Sequence, residues 1–142
     1  MSAFIFELEF PLKGDDFLNA GKASDEIRLL LKNLNISPGV VGRIAMISYI
    51  AEMNVIIHAY RGYIKASIYP DRTELMILDT GLAADDGAMT RRDNYSNTPY
   101  CVQKAGFGLE RGLAMIARYA DTYSINSKVG QGTELSVMVR HI

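Results

Sequence analysis

The sequence is poor in cysteine, in net charge and in unbroken apolar stretches, and each shortage excludes a class of protein. Its single cysteine, Cys101, cannot form an internal disulfide or a cysteine-rich metal site, so we expect a reducing, cytoplasmic setting. The 15 Lys and Arg residues balance the 16 Asp and Glu residues, which argues against a nucleic-acid-binding surface. No segment reaches the ~20 apolar residues of a membrane span, and the acidic N-terminus is unlike a signal peptide. We therefore expect neither nucleic acid nor a membrane as a partner.

The chain is nevertheless long and apolar enough to bury one core. It has 142 residues, of which 49% are hydrophobic, and no linker or repeat divides it, so we predict a single domain over residues 1–142. Glycine is the unusual component. Five of the 12 glycines lie between residues 106 and 132.

Periodicity predicts an alternation of strands and helices rather than a single type of element. Alternating apolar residues indicate strands at 3–10, 63–69, 74–79, 122–126 and 134–139, and helical spacing indicates helices at 15–34, 40–60 and 109–119. Pro11 is expected to end the first strand, and Gly21 to weaken the middle of the first helix or to mark a break in it. Strands that are neighbours in sequence can pair as hairpins, and the helices fit on one face. We predict an α+β fold, a two-layer α/β sandwich with a mixed, mostly antiparallel sheet.

The segment 80–105 has no clear period and is rich in polar residues. It is too long for a plain connection in a compact domain, and loops of this length usually cover or form a binding site. We therefore predict a lid-like loop over residues 80–105.

Two polar residues interrupt the most apolar helix. Asn54 and His58 are four residues apart and lie on one helical face, and an unpaired amide in such a helix costs about 1–3 kcal/mol. One interpretation is a pair of buried polar groups that neighbouring backbone satisfies. The other is a polar stripe that faces a ligand, with the Asn54 oxygen coordinating a hard cation such as Mg²⁺.

Two glycine-containing segments follow. Asp79-Thr80-Gly81 lies where a predicted strand ends, so its carboxylate can accept a hydrogen bond from an exocyclic amine; the alternative is an ordinary turn. The run 106–113, GFGLERGL, precedes a helix and exposes backbone N–H groups at the positive end of its dipole, an arrangement suited to phosphates. Alone, that run is also compatible with a simple helix start. It matches neither a dinucleotide fingerprint nor a Walker phosphate loop.

The order of these segments resembles the GHKL ATPases, the superfamily of gyrase, the heat-shock chaperone ATPases, histidine kinases and MutL. The resemblance covers essentially the whole chain. Its closest form is similar to the bacterial anti-sigma factor and switch-protein serine kinases, which are GHKL domains of about this length. Three segments carry this likeness: 54–62 (NVIIHAYRG), 112–121 and 130–133 (GQGT).

The resemblance implies a site for ATP or ADP with Mg²⁺. It makes Asn54 the Mg²⁺ ligand, with His58 on the same helical face, and Asp79 the carboxylate that reads adenine. It further implies nucleotide contacts at Gly81, beside the base; at Gly106, Gly108, Gly112 and Leu113, on the phosphate side; and at Thr133, whose hydroxyl supports the adenine contact.

Three positions depart from the family pattern. The kinases have a general-base Glu four residues before the Asn, and here that residue is Ile50. Glu52 is a weak candidate for the base, because a separation of two residues turns it about 200° away from Asn54 around the helix. Ala83 replaces a customary glycine, and Glu110 adds a negative charge near the expected phosphates.

The resemblance implies an ATP-binding regulatory protein of the anti-sigma serine/threonine kinase type. Its partner would be a sigma factor or an anti-anti-sigma antagonist, and phosphotransfer would be weakened by Ile50. The alternative is a degenerate GHKL domain that acts as a protein-interaction module with weak or no nucleotide binding. A homodimer is a further possibility, since an exposed sheet edge commonly pairs.

Overall fold

The computed structural model of the chain describes residues 6–59, 61–80, 109–128 and 132–142. These residues form a five-stranded sheet with the order β1-β2-β3-β5-β4, in which each neighbouring pair is antiparallel. The strands are β1 (Phe6–Lys13), β2 (Arg61–Ile68), β3 (Arg72–Asp79), β4 (Thr122–Lys128) and β5 (Gly132–Arg140). The sheet was predicted as mixed and mostly antiparallel; in the described residues, all four pairs are antiparallel.

Three helices pack together beside this sheet. They are α1 (Lys22–Asn33), α2 (Pro38–His58) and α3 (Leu109–Tyr119), and a short 3₁₀ turn (Phe17–Asn19) precedes α1. Helix α2 contacts both other helices and four of the strands, so it is the centre of the helical layer. The predicted two-layer α/β sandwich of the α+β class is confirmed.

One face of the sheet forms the strand side of the core. Alternate residues of β2, β3 and β5 are buried and pack against α2, as the period of two in a half-covered strand requires. The core-facing apolar residues of these strands are Ile64, Ala66, Ile68, Leu75, Ile77, Leu135, Val137 and Val139. Helix α2 contributes Ile44, Ile47, Ala51 and Val55 to the same core.

Helix α2 is long and apolar enough to cross a membrane by length and composition alone, and it is the one such helix among the described residues. Over half of the relevant window is buried inside the fold. Because α2 is largely buried and contacts the sheet, α1 and α3, it is the central core helix of the fold.

Several boundaries differ from the prediction by a few residues, and two of these differences have an identifiable reason. Strand β1 continues through Pro11 to Lys13, because β1 lies at the edge of the sheet and Pro11 needs no outward-facing N–H donor there. The first helix was predicted from residue 15, but α1 begins at Lys22, because Gly21 takes a left-handed φ of 94° and separates it from the 3₁₀ turn.

Candidate functional site

A cavity of about 190 Å³ lies between the end of α2 and the sheet, and it is the main candidate site in the described part of the chain. Five of the predicted site residues line it, from four different elements: Asn54, His58, Asp79, Leu113 and Thr133. The remaining walls are apolar and are formed by Ala51, Val55, Ala59, Ile77, Ile125 and Leu135. The volume is below the ~300–1,000 Å³ of a pocket that holds a whole drug-sized ligand, so it suits one flat portion of a larger molecule.

Asn54 places an unsatisfied oxygen at this cavity. Its Oδ1 atom is buried and has no hydrogen-bond partner among the described residues. A buried acceptor left in this state costs about 1–3 kcal/mol unless a ligand or ion occupies it. Among the described residues, no backbone group satisfies this oxygen, so the interpretation of Asn54 as an amide paired with neighbouring backbone does not hold for it.

Gly112 leaves the room that the Asn54 side chain fills. A Cβ atom built on Gly112 would lie 2.7 Å from Asn54 Nδ2, 2.9 Å from Asn54 Oδ1 and 3.1 Å from Ile50 Cγ2. The first two distances are shorter than real Cβ contacts, so any larger residue would displace the amide. Gly112 thus contacts the proposed ligand residue Asn54 directly, which the sequence pattern did not predict.

The end of β3 is held in position by two glycines. Gly62 pairs with Asp79 across β2 and β3, and a Cβ at Gly62 would collide with the carbonyl oxygen of Leu78. On the other side, Gly132 has a φ of 96°, and a Cβ there would collide with the carbonyl oxygen of Asp79. Both glycines therefore permit a close backbone approach that fixes Asp79, which lies directly opposite Thr133 on β5.

Glu52 lies on another face of α2 and does not line the cavity. Its carboxylate is 1% exposed and accepts three backbone N–H groups at the start of α1: Gly21 at 3.0 Å, Ala23 at 3.3 Å and Ser24 at 3.1 Å. These are N–H groups that a helix start leaves unsatisfied, and the helix dipole favours a negative charge there. Glu52 therefore caps α1, a structural role that leaves it poorly placed to act as a base at the cavity.

Ile50 lies on the same face of α2 as Asn54 and is 5% exposed. Its Cγ2 atom is near the position where a Gly112 side chain would begin. Ile50 is thus part of the apolar packing between α2 and α3.

The far end of α3 is anchored by Arg43 of α2. The Arg43 guanidinium donates to the carbonyl oxygen of Tyr119 at 2.6 and 3.0 Å and lies 3.5 Å from the Asp121 carboxylate. Asp121 also accepts the backbone N–H of Arg140 at 2.6 Å. This hydrogen bond, with a contribution from the Arg43 charge, holds the pKa of the Asp121 carboxyl below its ordinary value.

His141 follows the last strand, is partly buried and lies near two polar groups. Its Nε2 atom lies 2.7 Å from the hydroxyl of Thr73, which is 1% exposed, and its Nδ1 atom lies 3.3 Å from the carbonyl oxygen of Pro70. Strand β5 runs to Arg140, one residue further than predicted, and so carries His141 to the β2–β3 turn. It lies far along the sheet from Asp79 and Thr133, at the other end of β3 and β5.

Part of the predicted site lies outside the described residues. Gly81, Gly106, Gly108 and the segment 81–105 of the predicted lid-like loop, which includes Ala83, belong to this part, and so does the side chain of Glu110. Within the described residues no group of three or more His, Cys, Asp or Glu side chains could hold a metal ion alone. The orphaned Asn54 oxygen nevertheless fits Mg²⁺, which is commonly bound through one or two protein ligands together with substrate phosphates.

Comparison with known proteins found no matching family model and no matching curated protein. Among solved structures, the chain is similar to a chain of the SiaB-SiaC complex from Pseudomonas aeruginosa. The two are 15% identical, the match covers 96% of this chain and 90% of that chain, and the TM-score is 0.47.

Proposed function

We propose that the chain is a regulatory protein that binds ATP or ADP with Mg²⁺ and acts on a partner protein. The observation that carries this proposal is the convergence of Asn54, Asp79 and Thr133 on one cavity, where the Asn54 oxygen is buried without a partner among the described residues. The resemblance to the GHKL ATPases, and within them to the anti-sigma serine kinases, rests on these same positions.

The Asp79 end of the cavity suits a purine base. Its apolar walls offer faces against which a flat ring can pack, and the Asp79 carboxylate can accept a hydrogen bond from an exocyclic amine. The Thr133 hydroxyl, on the neighbouring strand, would support that contact. Adenine has such an amine and guanine presents a carbonyl at the same position, so this chemistry favours adenine.

The Asn54 end suits the metal and the phosphates. An amide oxygen is a hard ligand, and Mg²⁺ bound there would neutralise part of the phosphate charge. Gly112 and Leu113, at the start of α3, would lie on the phosphate side. Residues Gly106 and Gly108 are assigned to the phosphates by the resemblance alone.

Phosphotransfer would be weak in this proposal. Ile50 is buried at the position of the family's general base, and the Glu52 carboxylate is occupied by the start of α1. Loss of a general base typically costs 10²–10⁴-fold in rate. The protein would then act chiefly through nucleotide-dependent contact with its partner, which the resemblance makes a sigma factor or its antagonist.

The two ends of the cavity can be tested separately by calorimetric titration of ATP and ADP with and without Mg²⁺. Asp79→Asn should weaken binding of both nucleotides in both conditions, whereas Asp71→Asn, in the exposed β2–β3 turn, should change nothing. Asn54→Ala should remove only the gain in affinity that Mg²⁺ gives, and Asn54→Asp should retain it because a carboxylate also ligates Mg²⁺.

Ile50 favours the second candidate function, a degenerate domain that works through protein contact alone. In that case the cavity would bind neither nucleotide, and Asp79→Asn would affect neither ligand nor partner. Retention of partner binding by an Asp79→Asn variant, together with no heat from either nucleotide, would select this function over the first.

A further inference from the structure

Helix α3 is attached to α2 by a different kind of contact at each of its ends. Among the described elements, α3 packs chiefly against α2. Near its start, Gly112 lies against the Asn54 amide and Leu113 lines the cavity. At its last residue, the carbonyl oxygen of Tyr119 accepts hydrogen bonds from Nη2 of Arg43 at 2.6 Å and from Nε at 3.0 Å. The two helices therefore run antiparallel, with one specific contact at each end.

Arg43 and Asn54 lie on the same stripe of α2. They are 11 residues apart, which is close to three full turns and separates them by about 16 Å along the helix axis. Ile50 lies between them on this stripe, and its Cγ2 atom would be 3.1 Å from a Cβ built on Gly112. This stripe is therefore the surface of α2 against which α3 packs along its length.

The contact at the Arg43 end restrains the position of α3. The last carbonyl groups of a helix have no partner within the helix, and a cation there also interacts favourably with the negative end of the helix dipole. Two charge-assisted hydrogen bonds from one planar guanidinium to one oxygen restrain both distance and direction. Asp121 lies 3.5 Å from the same guanidinium and accepts the backbone N–H of Arg140 in β5, so it connects this end of α3 to the sheet.

The contact at the Asn54 end leaves little room for movement. A Cβ built on Gly112 would lie 2.7 and 2.9 Å from the two amide atoms, so the glycine itself is already close to them. A shift of α3 by about 1 Å would either press on the amide or open a gap beside it, because a packed interior has no spare volume. The position of α3 therefore determines how firmly the amide is held.

We propose that Arg43 is a positioning residue for Asn54, the residue assigned to Mg²⁺, and that it acts through α3. Arg43 holds the far end of the helix, the helix holds Gly112 against the amide, and the amide keeps its oxygen at the cavity. Arg43 does not itself line the cavity. The role of the oxygen as a Mg²⁺ ligand rests on the proposed function, whereas the link from Arg43 through α3 to the amide does not.

The first measurement is the affinity for ATP with and without Mg²⁺, by calorimetric titration, in Arg43→Met, Arg43→Lys and Arg28→Met. Methionine keeps an apolar stem and removes every donor, whereas lysine keeps the charge on a single ammonium group. Arg28 of α1 is the matched control. Its guanidinium also pairs with a carboxylate, that of Asp25 at 2.8 Å, and its side chain is 42% exposed, against 36% for Arg43.

We expect Arg43→Met to reduce the gain in ATP affinity that Mg²⁺ gives by at least about threefold. This is less than the roughly 10–100-fold lost with residues that bond a metal ligand directly, because Arg43 acts through a helix. Arg43→Lys should keep an intermediate gain and Arg28→Met the full gain. In an Asn54→Ala background, Arg43→Met should leave the Mg²⁺ dependence unchanged, because its effect passes through that amide.

The second measurement needs no nucleotide. It is the melting temperature of the same variants with and without Gly112→Ala. A helix released at its far end can move away from the added methyl group. Gly112→Ala should therefore be less destabilising in the Arg43→Met background than in the normal chain, by at least about 2 °C in melting temperature, and its effect should be unchanged in the Arg28→Met background.

The two measurements separate this proposal from the proposed function. If the unmodified chain bound no nucleotide, the nucleotide function would fail, and coupling between Gly112→Ala and Arg43→Met would still support the positioning of the amide. An equal Gly112→Ala effect in all backgrounds, or a folded Arg43→Met variant that keeps the full Mg²⁺ gain, would overturn the proposal and leave Arg43 a purely structural anchor. If Arg43→Met does not fold, Arg43→Lys decides, and values equal to those of the unmodified chain in both measurements would overturn the proposal.

Discussion

The contact between Gly112 and Asn54 makes Gly112→Ala the most informative single substitution in this protein. The added methyl carbon would lie 2.7 and 2.9 Å from the two amide atoms of Asn54 and 3.1 Å from Ile50 Cγ2. The Ile50 contact is only slightly tight. The amide must therefore move, and with it the oxygen that we assign to Mg²⁺.

The expected change in stability is the difference between two opposing effects. Replacing glycine by alanine in a helix interior stabilises by about 1 kcal/mol, and overpacking a filled site costs about 1–3 kcal/mol. We therefore expect a net loss of about 0–2 kcal/mol in the free energy of unfolding. The expected functional effect is larger, because displacement of the Asn54 oxygen should remove most of the Mg²⁺-dependent gain in nucleotide affinity.

Gly42 in α2 supplies the matched control, because a Cβ built on it meets no atom within 4 Å. Gly42→Ala should show the helix effect alone, a gain of about 0.5–1 kcal/mol by chemical denaturation. Comparing Gly112→Ala in the normal chain with Gly112→Ala in an Asn54→Ala background isolates the clash with the amide. In that background, Gly112→Ala should lower the free energy of unfolding by about 1 kcal/mol or more less than it does in the normal chain.

Two results would refute this reasoning. One is a Gly112→Ala variant that gains as much stability as Gly42→Ala, since the methyl group would then have met no obstruction. The other is a Gly112→Ala variant whose nucleotide affinity responds to Mg²⁺ as in the unmodified chain.

Three further predictions concern Glu52, Ile50 and Asp121. Glu52→Gln should lower the free energy of unfolding by about 1–3 kcal/mol, because an amide cannot accept all three N–H groups at the start of α1, and it should leave nucleotide affinity unchanged. A variant that stays as stable as the unmodified chain but loses nucleotide binding would contradict the capping role. Ile50→Glu should raise the rate of ATP turnover, up to the 10²–10⁴-fold increase that a general base supplies, whereas Ile50→Gln should not raise it. Turnover by the unmodified chain at ordinary kinase rates of about 1–100 s⁻¹ would contradict the role given to Ile50. Asp121→Asn should be less stable than the unmodified chain at neutral pH. The lowered pKa of Asp121 in the folded state means that its stabilisation is present above the ordinary value of 3.8 and is lost as pH falls through the lower folded-state value. The stability gap should therefore close in acid denaturation curves below about pH 4, and a gap that persists there would exclude the charge as its cause.

Local sequence patterns predicted most of the architecture. The alternation in β2, β3 and β5 follows from burial on one face of the sheet. The apolarity of α2 follows from its burial against the sheet and two other helices, although Met46 and Tyr49 remain exposed. The break before α1 was only suggested by Gly21, because a glycine inside a helical pattern is compatible with either a helix interior or a left-handed stop.

The sequence predicted which residues line the cavity, but it did not predict which residues contact one another there. Asn54, Asp79 and Thr133 are far apart in the sequence, and only the order of the segments that contain them suggested a common cavity. That Gly112 makes room for Asn54, and that Glu52 caps α1, depend on how α2 packs against two other helices. Spacing along one helix gives the direction of the Glu52 side chain, but it does not identify the three N–H groups that meet it.

Nucleotide binding by the unmodified chain is the most direct test of the central claim. The measurement is calorimetric titration with ATP, in the presence and absence of Mg²⁺, with GTP as the comparison. We predict saturable binding of ATP that Mg²⁺ strengthens and that GTP does not reproduce. No detectable binding of ATP at millimolar concentration, with or without Mg²⁺, would contradict the assignment of this cavity to an adenine nucleotide.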